Sequence, residues 1–169
     1  MNTKMITRTA ILLALTILFQ TLGRFIPLGA QVNQFIVGPL VNASLLVAAA
    51  YTGLAGGAVV SVLSPFGAIL TGAAIPLPFA PFIAVGNFIL VLLYVLLKKK
   101  QLAGIASGAI LKCAFLWASI LAFTSFMNIP AKKATLLIAS FSWPQLVTAL
   151  VGGTIALVVI KALGKAVEK

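Results

Sequence analysis

The chain has no histidine, one cysteine and a single carboxylic acid, Glu168, in 169 residues. A metal centre of the usual ligand count cannot be assembled from so few His, Cys, Asp and Glu side chains. A Ser-His-Asp triad, an HExxH helix and a pair of catalytic carboxylates are out of reach for the same reason, which disfavours ordinary acid–base catalysis. No GxxxxGK[ST] loop is present, so ATP is not bound by a P-loop. Cys113 has no disulfide partner and lies in an apolar run, where it reads as a small buried hydrophobe. No cofactor is expected. Charge itself is scarce. Ordinary soluble domains carry about 25% charged residues, whereas this chain carries 8%.

What fills the sequence is hydrocarbon. Hydrophobic residues make up 62% and the mean hydropathy is +1.22. So few charges cannot cover a water-facing surface, so lipid must be the solvent for much of the chain. Twelve Lys and Arg against one acid give a net charge of +11. These cations stand at the ends of apolar runs and form no continuous face. That is the pattern of membrane topology, not of nucleic-acid binding.

A membrane-crossing helix needs about 20 apolar residues. Six runs qualify: 5–23, 35–52, 54–72 (interrupted by Pro65), 80–97, 102–126 and 143–163. Stretches such as Phe88-Ile89-Leu90-Val91-Leu92-Leu93 do not alternate, so barrel strands are excluded. Residues 4–22 have the basic start and apolar core of a signal peptide, but no A-x-A-like site follows, so they are expected to remain as the first span. The sequence therefore predicts an all-α membrane protein: one domain over 1–169, built as a six-transmembrane-helix bundle. With the N-terminus inside, Lys4, Arg8, Lys98, Lys99, Lys100, Lys161, Lys165 and Lys169 fall in the cytoplasm. Arg24, Lys132 and Lys133 fall outside. The bias predicts both termini in the cytoplasm. The inside turns, at Thr52-Gly53 and residues 98–101, are short. The outside connections, 24–34, 73–79 and 127–142, are long, so the elaborated face is the outer one.

Lys112 is the residue with most to say. It lies roughly 15 Å into the fifth span, near mid-bilayer, where a lysine costs roughly 2.5–3.5 kcal/mol on insertion scales. Its helix face, Gly104, Gly108, Lys112 and Ser119, is small and polar and should point into protein. Such a cation can meet a substrate carboxylate or carbonyl, or it can bond helix-end carbonyls or Asn side chains. Asn42 and Asn87 each lie roughly 10 Å below the outer start of their helices. Their amides suit a heterocycle, or serve as interhelical glue. Ser142-Trp143-Pro144-Gln145 opens the last span. Ser142 and Gln145 have capping-box spacing, and Trp143 is either an interface anchor or a stacking surface. Gln31, Asn33 and Gln34, with Arg24, are candidate lid contacts. Gly53-x-x-x-Gly57 and Gly104-x-x-x-Gly108 permit close helix packing.

The runs Val37-Gly38-Pro39-Leu40-Val41-Asn42, Pro81-Phe82-Ile83-Ala84-Val85-Gly86-Asn87 and Phe141-Ser142-Trp143-Pro144-Gln145 look like those of substrate-binding S components of energy-coupling factor (ECF) transporters. The helix count and loop inequality resemble the same family over the whole chain. Ala10-Ile11-Leu12-Leu13-Ala14 stands where that family carries an Ala-x-x-x-Ala pattern on the first helix. The resemblance implies a multi-pass protein of a bacterial cytoplasmic membrane. It implies docking of Ala10 and Ala14 on a transmembrane T component, which joins two cytoplasmic ATPases. It further implies high-affinity binding of a vitamin-like solute for import. Nickel and cobalt members use an N-terminal histidine, absent here; biotin-type members carry a membrane acid, also absent. Riboflavin, pantothenate, pyridoxine-like compounds and queuosine-type deazapurines stay open. One cation, several amides and no membrane carboxylate favour a neutral or anionic solute. The substrate-binding set so read is Lys112, Asn42, Asn87, Gln34, Asn33, Trp143, Gln145 and Arg24. The competing readings are a structural or assembly subunit without its own ligand and, less compatible with the missing acid–base residues, a membrane enzyme.

Overall fold

The computed structural model describes residues 2–23, 25, 27, 29–72, 77–127 and 129–167, with the backbone alone at 30, 31 and 165–167. Every regular element among them is helical: α1 (Thr3–Gly23), α2 (Gly29–Leu70), α3 (Ala80–Leu96), α4 (Gln101–Phe126), α5 (Ala131–Ser140) and α6 (Trp143–Val167). Short 3-10 turns at Leu77–Phe79 and Lys98–Lys100 lead into α3 and α4. Five of the helices, all but the ten-residue α5 as a unit of its own, belong to segments long and apolar enough to cross a membrane.

The 42 residues of α2 are not one rod. Gly53 leaves helical geometry with φ 69° and ψ −168°, a left-handed conformation that glycine adopts without a Cβ clash. Residues eight apart in a straight helix are separated by about 12 Å. A Cβ on Gly57 would nevertheless meet the Ala49 Cβ at 3.1 Å. The chain therefore turns back at Gly53, and α2 is a hairpin of two limbs, 29–52 and 54–70. Gly53 makes the turn, so only Gly57 of the expected Gly-x-x-x-Gly pair packs closely. Pro65 does not interrupt the second limb, and Pro39 sits inside the first in the same way. Membrane helices tolerate such prolines because neighbouring helices satisfy the carbonyls they free.

The hairpin is the hub. It contacts α1, α3 and α6, and α4 closes the bundle against α3 and α6. Leu45, Leu46, Val60, Leu90, Val91, Ile105, Ala109 and Ala149 form the main core. Glycines set the spacing. A Cβ on Gly104 or Gly108 would stand 3.1 Å from the Leu93 or Leu90 carbonyl, so α3 and α4 run nearly backbone to backbone. A Cβ on Gly152 would stand 2.6 Å from the Pro39 carbonyl, which holds α6 equally close to the first limb. By contrast, α1 buries only Thr9, Thr16 and Gly23. That seven-residue stripe lies against α2 and leaves Ile6, Ile11, Leu18 and Leu22 exposed.

The segment 127–142 is not simply a long loop. Pro130 precedes α5, a short helix with polar residues on one side, whose Leu137 and Ile138 pack beneath it. They meet a second cluster of Phe79, Leu116 and Ile120, with Phe82, Phe123 and Phe141 around it.

Candidate functional site

Lys112 is 3% exposed. The face that buries it runs Gly104, Gly108, Lys112, Leu116, Ile120 and Thr124 along α4. This repeat of four keeps small residues below the lysine and the bulky apolar Leu116 and Ile120 directly beyond it. Ser119, expected on this face, is only half-buried. Lys112 Nζ donates to Asn42 Oδ1 at 2.6 Å and to Asn87 Oδ1 at 2.8 Å. Asn42 Nδ2 reaches Thr148 Oγ1 at 3.5 Å, and Asn87 Nδ2 reaches Ser64 Oγ at 3.5 Å. One network thus ties α4 to both limbs of α2, to α3 and to α6. The hairpin makes this possible. Asn42 and Ser64 each lie eleven residues from Gly53, so the turn brings them to the same depth.

A lysine ammonium has three N–H donors. Two are used here, and no acceptor for the third is found among the described residues. Among the described residues no carboxylate balances the charge; the sole acid, Glu168, lies outside them. A buried cation without a counter-ion is costly and favours any anion or electron-rich carbonyl that can approach. Of the two readings of Lys112, the arrangement shows the bonding to Asn side chains.

Beyond Lys112, towards the C-terminal end of α4, the aromatic cluster closes the bundle. Phe79 meets Phe141 edge-on at 4.6 Å between ring centroids, Phe82 at 5.4 Å and Phe123 at 5.8 Å. None of these rings stood out in the sequence, because eleven phenylalanines in a membrane chain carry no positional signal. Ser64 and Thr148 were missed for a related reason: hydroxyls are ordinary in membrane helices.

The remaining expected residues separate into groups. Gln34 Nε2 donates to the Ser140 carbonyl at 2.6 Å, and Gln145 Nε2 donates to the same oxygen at 3.3 Å. Two amides, one from α2 and one from α6, thus hold the C-terminal carbonyl of α5. The capping box at Ser142 is not formed as expected. Ser142 Oγ donates to the Ala139 carbonyl, and the Gln145 backbone N–H donates to the Ser142 carbonyl. Asn33 Nδ2 donates to the Gly23 carbonyl at 2.5 Å, sealing the end of α1 against α2. Trp143 is largely exposed and tilts against Phe35 with centroids 5.5 Å apart. The Lys112 network does not include it. Cys113 is half-buried, with its thiol 3.3 Å from the Ser142 carbonyl. Arg24 and the Gln31 side chain lie outside the described residues. Ala10 and Ala14 are both exposed on α1.

The helices and their buried polar network define a multi-pass membrane protein. Residues 4–164 match the family described as ECF transporter, substrate-specific component. The match covers nearly the whole chain, and the chain belongs to that family. Its members are the substrate-binding subunits of transporters and not enzymes. No curated protein and no solved structure matches the chain significantly.

Proposed function

We propose that this chain is the subunit that captures a small, vitamin-like neutral or anionic organic solute for import across a bacterial cytoplasmic membrane. The observation that carries the reading is the Lys112 ammonium, buried at the meeting point of α2, α3, α4 and α6, with no counter-ion and no third acceptor among the described residues. The solute enters from the outside and lies between that ammonium and the outer helix ends, with Asn42 and Asn87 offering amide edges. Gln34, Gln145, Asn33, Trp143 and Arg24 belong to the outer rim that closes over it. The bundle crosses the membrane six times, the two limbs of α2 each counting once, with both termini in the cytoplasm. Ala10 and Ala14 form part of the surface that docks on a T component, which couples to two cytoplasmic ATPases.

A second reading has one observation in its favour. The Asn42 and Asn87 carbonyls already accept from Lys112, as they would in a purely structural clasp. A structural or assembly subunit would retain no ligand. Mass spectrometry of small molecules that co-purify with the detergent-solubilised protein separates the two. A stoichiometric neutral or anionic solute supports capture. An empty protein that also shows no saturable binding of candidate vitamins supports the structural subunit.

A further inference from the structure

The end of the bundle opposite the aromatic cluster carries a second site with a different chemistry. Lys98, Lys99 and Lys100 form the 3-10 turn between α3 and α4. Lys161 comes from α6, far away in sequence. The four lysines line one open cavity of about 840 Å³. Apart from Gln101, its remaining wall is aliphatic, with Leu102, Ala103, Leu157 and Ile160. Leu102 is largely exposed. The start of α4 adds positive potential, since no side chain caps it and no acid stands in its first turn. No acidic side chain exists among the described residues to neutralise the four ammonium groups.

We infer that this cavity binds an anionic phospholipid, with the phosphate diester among the lysines and an acyl chain along Leu102, Leu157 and Ile160. Topology accounts for lysines at the cytoplasmic end of a membrane protein. It does not account for two separate elements converging them on one hollow whose other wall is mostly apolar. That combination matches an amphiphile with an anionic head, and each lysine near the surface of an anionic membrane contributes on the order of 1 kcal/mol of attraction. A free phosphate ion would satisfy the lysines and leave the aliphatic wall unused.

The test is native mass spectrometry of the full chain, purified in mild detergent and equilibrated with an equimolar mixture of phosphatidylglycerol and phosphatidylcholine of matched chains. The phosphatidylglycerol adduct should exceed the phosphatidylcholine adduct by about tenfold or more. The Lys98→Gln/Lys161→Gln variant should lose most of that excess. The Lys132→Gln/Lys133→Gln variant, with the same change in net charge on α5, should keep it. Equal adducts in the unmodified chain, or equal losses in both variants, would overturn the inference. Displacement of the phospholipid by inorganic phosphate would overturn the lipid as occupant. If Lys98→Gln/Lys161→Gln keeps its phosphatidylglycerol but no longer assembles with its transporter partners, the lysines form a protein interface and the lipid site is refuted.

Discussion

Replacing Lys112 with methionine probes the site most directly. The change nearly conserves side-chain length and removes the charge. Loss of two hydrogen bonds from a charged donor, at 2.6 and 2.8 Å, costs about 1.5–3 kcal/mol each. Release from burying the lysine offsets this by about 2.5–3.5 kcal/mol. The balance is a destabilisation of about 0–3 kcal/mol, a fall in Tm of up to about 10 °C, so the fold survives. If the ammonium contacts the solute, affinity falls more than tenfold, about 1.4 kcal/mol. Isothermal titration with the co-purified solute, beside a thermal melt, reads both quantities. Unchanged affinity in Lys112→Met refutes the contact and leaves the lysine a structural clasp. Asn87→Asp tests the electrostatics without deleting the cation. A carboxylate placed within 2.8 Å of Nζ supplies the missing counter-ion, so an anionic solute should bind at least about tenfold more weakly while Tm does not fall. Tighter binding of an anion by Asn87→Asp would refute the charge argument.

Three further outcomes are expected. Gly152→Ala forces a Cβ to within 2.6 Å of the Pro39 carbonyl and 2.7 Å of the Asn42 Cβ, so it should cost about 1–3 kcal/mol by thermal melt. Gly164→Ala, with open space around it, should cost nothing, and equal stability of the two variants would refute the close α2–α6 approach. A cysteine at Gln101, in a Cys113→Ala background, should resist membrane-impermeant maleimide added to intact cells; labelling from outside would overturn the orientation. Ala14→Trp should abolish uptake while solute binding by the isolated subunit stays within about twofold of the parent; full uptake would remove α1 from the docking surface.

The helical, membrane-spanning character of the chain was legible because hydrocarbon runs of fixed length admit few structures. Lys112, Asn42 and Asn87 were legible as buried polar residues in the outer-to-middle part of the bundle, from their distances to the helix starts. Their mutual bonding was not, since it depends on how four elements rotate about their axes, and hydropathy carries no azimuth. The turn at Gly53 was legible, since two apolar runs meet at Thr52-Gly53, whereas Pro65 misled because a proline read alone signals a break and the second limb continues through it. Helix α5 escaped because ten residues are too few to register as a span. The shared grip of Gln34 and Gln145 on Ser140 joins positions more than a hundred residues apart in one case and five in the other. No local pattern predicts that.

The hairpin at Gly53 also behaves as a ruler. One inserted residue in a helix turns everything beyond it by about 100° and advances it about 1.5 Å. An insertion or deletion between 43 and 52, or between 54 and 63, would therefore swing Asn42 or Ser64 away from the buried ammonium with no polar residue itself altered. The number of intervening residues fixes this register, while the identities of Leu45, Leu46 and Val60 fix the core between. Among homologous chains, then, the count of residues on each side of this glycine should be held fixed, and length variation should be confined to the connections at the far ends of the two limbs.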